Sequence, residues 1–214
     1  MSAADPLFDT LFRPTTLTPS IASAAPVRAT GTRSRAGNAM NRTRAALLQG
    51  ARRAVEVSGT KITMAQVAAA AGVAKATLYN HFRTREAVLA ALVVDEVERL
   101  VEAAAGRPLA DALATTAQTL ATHPVARALA RLEPATLAAI GVIDPSADGW
   151  RLARTALADA LAAEQRGGVD LVLRWLASYL LSPAAPAAIA DDLAILLAAL
   201  PDLPAAADAA VRTA

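Results

Sequence analysis

The 214-residue chain is expected to be all-α. Three observations carry that expectation. Apolar residues recur at spacings of three and four in one segment after another from Asn41 onward, and nowhere in the period of two that a half-buried strand needs. Glycine and proline stand at the ends of those segments, at Ser58-Gly59, Gly72, Gly106-Arg107-Pro108, Pro124 and Pro134, where they stop or start helices. Apolar residues make up 55% of the chain but aromatics only 3%, and much of the apolar share is alanine, the strongest helix former.

Taken in order, residues 1–40 hold Pro6, Pro14, Pro19 and Pro26 among Ser, Thr and Ala and read as a disordered tail. Its basic end, Arg28 to Arg44, suits an arm reaching DNA phosphates or the minor groove. A solvated tail without a role, or translation starting at Met40, are equally open readings. Asn41–Val57 is the first helix, with Ala46, Leu47, Gly50, Ala54 and Val57 as its inner stripe. Thr63 and Gln66 form a capping box for the second, and Ile62 and Val67 its hydrophobic staple. The run Ala68–Ala71 ends at Gly72, which accepts the left-handed conformation. Leu78 and Phe82 then give the third helix one buried face. Thr84 caps a fourth, whose apolar period runs from Val88 through Val101 to Gly106. Beyond it come Leu109–Thr122, Pro124–Leu132, Pro134–Ile140, Asp148–Gln165, Val169–Leu181 and Ala187–Leu200.

The third helix presents an unusual outside. With Leu78 inward, Ala76, Thr77, Tyr79 and Asn80 occupy the opposite arc, and Lys75 and His81 flank it. Such a set makes a poor core but suits a helix laid in a DNA major groove. Between Pro26 and Arg85 there are eleven basic residues against one acid, Glu56; from Val101 onward there are eight basic and twelve acidic. A basic block that coincides with this pair of short helices is an electrostatic footprint for nucleic acid.

At these residues the chain resembles the tetracycline-repressor (TetR) family of bacterial transcription regulators. Gly72, Val73, Lys75, Thr77, Leu78, Tyr79, His81, Phe82, Arg85 and Glu86 match its helix-turn-helix pattern, over residues 42–95. Two positions depart from it: Ala74 stands where the family often has Ser, and Ala76 where it often has Gly. The first change removes a phosphate contact, and the second alters which base fits. The resemblance implies domains at 41–85 (a three-helix, helix-turn-helix DNA-binding domain) and 86–204 (a helical regulatory, ligand-binding and dimerisation domain), followed by a C-terminal tail at 205–214. It implies base reading by Lys75, Ala76, Thr77 and Asn80, with phosphates held by Thr63, Tyr79, His81, Arg85, Arg42 and Arg44.

The last two helices are apolar on nearly every side, so they need cover on two sides. A second copy of the chain is the natural cover, through Leu173, Leu176, Leu180, Leu193, Leu196, Leu197 and Leu200, and a completely internal helix is the alternative, less natural so near the chain end. The family's last two helices commonly form such a dimer interface. Two stripes, Leu109 to His123 and Trp150 to Leu161, are the candidates for a sensor cavity. Thr116, Leu120, His123, Trp150 and Leu157 would line it around a small apolar, largely aliphatic effector. The competing reading makes Thr116 and His123 ordinary hydrogen-bonded core or helix-end groups.

Several functions are disfavoured. There is no cysteine and there are two histidines, which removes disulfides, thiol redox chemistry and Cys-based metal sites. The chain shows no phosphate loop, nucleophile elbow or dinucleotide fingerprint. No cofactor, metal or catalytic residue is expected. No apolar run approaches the ~18–20 residues that span a bilayer, and no secretory signal is read in the first residues, so a cytoplasmic protein without membrane contact is expected. The resulting expectation is a homodimeric repressor released from an inverted-repeat operator by its ligand. An activator, a regulator without a ligand, and an α-helical enzyme or carrier are the alternatives.

Overall fold

Caps and breakers set the limits of ten helices among the described residues, 32–203 of a computed structural model, whose side chains are described from residue 39. They are α1 (Thr32–Ser58), α2 (Met64–Ala71), α3 (Lys75–His81), α4 (Arg85–Ala104), α5 (Leu109–Thr122), α6 (Pro124–Leu132), α7 (Pro134–Gly141), α8 (Asp148–Ala163), α9 (Val169–Leu181) and α10 (Pro186–Ala199). A 3₁₀ turn, Gly59–Lys61, joins α1 to α2. The described residues form no strand, and a single isolated bridge joins Arg166 to Asp202. No helix among them is long and apolar enough to cross a membrane. Residues 1–31 and 204–214 lie outside the described residues, and with them most of the tail, Arg28 and the C-terminal tail.

The first helix starts nine residues earlier than Asn41. Gly31 directly precedes it in the sequence, and the Arg, Ala and Ser that follow tolerate a helix. Its inner face also differs from the expected stripe. Leu47, Leu48, Ala51, Ala54 and Val55 are buried, whereas Val57 is 77% exposed. The stripe drifts because 3.6 residues per turn carries position 57 off the face that 47, 51 and 54 define.

Two cores form, and they interleave along the chain. The first gathers α1–α3, the N-terminal half of α4, and Ala126, Leu129 and Leu137 from α6 and α7. The second gathers Leu109, Leu113, Ala117 and Ala121 of α5 with Leu157 and Leu161 of α8 and the inner faces of α9 and α10. A cut at residue 85 therefore divides the first core.

Most of the leucines expected at a dimer interface are buried within the chain itself. Leu173, Leu176, Leu193, Leu196 and Leu200 are each at most 9% exposed, and all belong to the second core, with Leu197 packed against it. Leu180 packs against the first. These leucines face inward because α9 and α10 both lie on α5, which covers one side of each helix from within the chain. The large apolar side chains of these two helices left exposed are Leu171, Leu181 and Ile195, at 46%, 50% and 70% exposure.

Candidate nucleic-acid interface

The turn between α2 and α3 is built almost entirely from local sequence. Gln66 N–H donates to Thr63 Oγ1 at 3.2 Å, and Thr63 N–H donates to Gln66 Oε1 at 2.7 Å, completing the capping box. Ile62 and Val67 are both buried beneath it. Gly72 sits at φ 68°, ψ 30°, and the N–H of Val73 returns to Ala68 O at 3.1 Å. A side chain at 72 would strain that left-handed turn. Thr63→Ala should cost about 1 kcal/mol of stability, the usual worth of an N-cap, read as a lower midpoint in chemical unfolding.

Leu78 is fully buried and Phe82 nearly so, fixing which way α3 faces. Lys75, Ala76 and Asn80 are exposed, Tyr79 is 41% exposed, and Thr77 and His81 are half-buried. Ala74 precedes the helix and makes no side-chain cap. The residues expected to read bases therefore share one outward surface, with Thr77 at its edge.

Of the expected phosphate contacts, Thr63 is exposed but its hydroxyl is engaged with Gln66. Arg85 is ion-paired with Glu86 at 2.8 Å, which neutralises much of its charge. The Arg44 guanidinium stands 5.3 Å from the Phe82 ring centroid, a cation–π contact that ties α1 to the end of α3. Arg42 is exposed. Two exposed cations were not singled out in the sequence: Lys61 just before the helix-turn-helix and Arg83 just after it. Their place in the basic block was the available signal.

The expected sensor residues line neither of the two clefts described below. His123 is a helix cap: Ala126 N–H donates to its Nδ1 at 3.4 Å, and its Nε2 lies 3.1 Å from Glu96 Oε2. Thr116 donates its hydroxyl to Ala112 O at 2.8 Å. Leu157 lies within the second core, with Leu120 and Trp150 packed against it. Two surface clefts, of about 380 and 370 Å³, are lined by other residues. One lies among Ile143, Arg154, Asp170 and Arg174, the other among Thr115, Thr119, Pro186 and Ile189. The helical pattern placed hydroxyl and imidazole on an apolar face; a backbone bond one turn away satisfies the hydroxyl, and the imidazole divides between the Ala126 N–H and the Glu96 carboxylate.

Glu96 links α4 to α1 as well, because Arg52 Nε donates to Glu96 Oε1 at 2.7 Å. The carboxylate side chain is 12% exposed. Burial pushes its pKa up, but the hydrogen bond to His123 and the charge of Arg52 outweigh that and leave it lowered. A carboxylate with a lowered folded pKa contributes stability above its unfolded pKa, and that contribution is lost as pH falls through the folded value. Glu96→Gln should accordingly be less stable than wild type near neutral pH. The gap should begin to narrow as pH falls below about 4.3, the ordinary glutamate value, and close once pH passes below the lowered folded value, as followed by thermal unfolding across a pH series.

This fold and this surface define a helix-turn-helix DNA-binding module carried on a helical body. Residues 47–92 match the family of bacterial regulatory proteins described as the tetR family. Over that stretch, which spans the helix-turn-helix, the chain is similar to this family. Salmonella enterica GusR is similar in structure, with a TM-score of 0.52 and 21% identity over 73% of this chain and 93% of that one. A protein solved in work on control of antibiotic production by a bacterial hormone has a TM-score of 0.50 and 22% identity, over 74% of this chain and 97% of its own. No curated protein matches the sequence.

Proposed function

We propose that the chain is a homodimeric transcriptional repressor that reads an inverted-repeat operator through α3 and is controlled from its C-terminal helices. The observation that carries this is the exposed set Lys75, Ala76, Tyr79 and Asn80 on a helix held in place by a buried Leu78. Asn80 suits adenine, Lys75 suits guanine, and the methyl groups of Ala76 and Thr77 suit thymine. Two-fold related heads require a dimer, and the outward apolar side of α9 and α10 supplies the surface. The bacterial-hormone context of one similar structure supports control by a small molecule. An effector acts here only by favouring one spacing of the heads, since a ligand that binds both arrangements equally shifts nothing. The tight packing of Leu157 and Leu161 in the second core favours, as a second reading, a regulator without an apolar ligand.

The test is repeated selection of bound duplexes from a random pool by the full chain. The expected result is a two-fold symmetric site, with Asn80→Ala relaxing the choice at one position of each half-site, worth about 1–3 kcal/mol of discrimination. A pool that stays random after selection sinks the reading and returns the α-helical enzyme or carrier.

A further inference from the structure

Helix α6 is fastened to the DNA-binding head at both ends by carboxylates that touch neither base-reading nor expected phosphate-holding residues. At its C-terminal end Glu133 closes α6 and opens α7: its N–H donates to Leu129 O at 2.8 Å, and its carbonyl accepts from Leu137 N–H at 3.1 Å. Its side chain crosses to the 3₁₀ turn just before the helix-turn-helix. Glu133 Oε1 accepts the Thr60 N–H at 2.7 Å, and Oε2 accepts the Thr60 hydroxyl at 2.5 Å. Thr60 is 4% exposed. Beside it Gly59 sits at φ 66°, and a Cβ there would run into the Glu133 carboxylate. That turn is therefore shaped to receive this side chain.

At the other end His123 caps α6 and meets Glu96, which also holds Arg52 of α1. Between these fastenings Ala126 and Leu129 of α6 lie in the first core, with Leu47 and Val55 of α1. Meanwhile α5, a main element of the second core, is joined to α6 through the single residue His123. A displacement of α5 is thus delivered directly to α6.

We propose that α6 is a latch between the two cores, and that Glu133 is its positioning residue for DNA binding. Docked, it holds the turn at Gly59–Lys61 and so the orientation of α3; lifted, it leaves the head loosened. This rests on the DNA-binding reading above for its functional consequence, but not for its mechanical one.

The experiment compares the full chain with Glu133→Ala, Glu133→Gln and Thr60→Val, by amide hydrogen exchange without DNA and by affinity for a duplex selected by the wild type. In Glu133→Ala, exchange at residues 59–82 should rise about tenfold or more while that of α9 stays put. Duplex affinity should fall about tenfold with an unchanged salt slope, because no phosphate contact is removed. Glu133→Gln keeps an oxygen for the Thr60 N–H and an N–H for its hydroxyl, so it should recover most of both losses. Thr60→Val, which keeps the backbone bond, should fall between.

Head exchange and affinity both within about twofold of wild type in Glu133→Ala would overturn the latch, as would failure of Glu133→Gln to recover either. Should Glu133→Ala raise exchange in α9 as well, the whole chain has opened. Thr60→Val then decides, a rise confined to the head supporting the latch and none overturning it. If the wild type selects no duplex, the function proposed above falls, and the exchange data alone judge the latch.

Discussion

Gly50→Ala is expected to destabilise the protein by about 2 kcal/mol, although alanine is favoured over glycine inside a helix by nearly 1 kcal/mol. Gly50 lies within α1 where α2 crosses it. A Cβ at that position would stand 2.6 Å from the backbone nitrogen of Ala71, 2.7 Å from its Cβ and 2.8 Å from its Cα. No flexible side chain is available there to swing aside, so the two helices must separate and open the core around Leu47, Ala51 and Val67. Overpacking of this kind typically costs about 1–3 kcal/mol beyond the propensity gain. The midpoint of thermal unfolding should drop by about 4–8 °C for a domain of this size. A variant as stable as wild type, or more so, would show that α1 and α2 do not approach as closely as described.

The second large effect separates two neighbouring residues of α10. Leu196→Asp places a carboxylate where the side chain is 7% exposed, inside the second core. It should unfold the body, because an unpaired buried charge costs several kcal/mol. Ile195→Asp places the same charge where the side chain is 70% exposed. That chain should stay folded, with a wild-type helical spectrum, and should sediment as a monomer under conditions where the parent is a dimer. The contrast matters because loss of the dimer through unfolding says nothing about an interface. A folded Ile195→Asp protein with an unchanged dimer dissociation constant would place the partner on some other surface.

The helix-turn-helix was legible because everything that makes it is local. The Thr63–Gln66 box spans three residues, Gly72 marks its own turn, and Leu78 and Phe82 orient α3 without help from afar. Most helix limits were legible for the same reason, the start of α1 excepted. Side assignment in the last two helices was not, since a helix apolar all round looks alike from every direction. Only the position of α5 shows that Leu173 and Leu196 face inward while Leu171 and Ile195 do not. Glu133 was also silent in the sequence: it meets Thr60 across 73 residues, and nothing near either residue announces the other. His123 was visible as a polar group on an apolar stripe, but its role depended on Glu96, 27 residues away.

The interleaving of the two cores has a consequence for synthesis. The amino acids that complete the first core at Ala126, Leu129 and Leu137 are translated well after Leu92, the last residue that core takes from α4. At the usual elongation rate of about 5–20 residues per second, a nascent head waits roughly 2–10 s for its remaining wall. During that interval the faces of Leu47, Leu48 and Val55 that α6 later covers stand open on the ribosome. A slow stretch of translation between the emergence of Leu92 and that of Leu137 from the exit tunnel would lengthen that exposure.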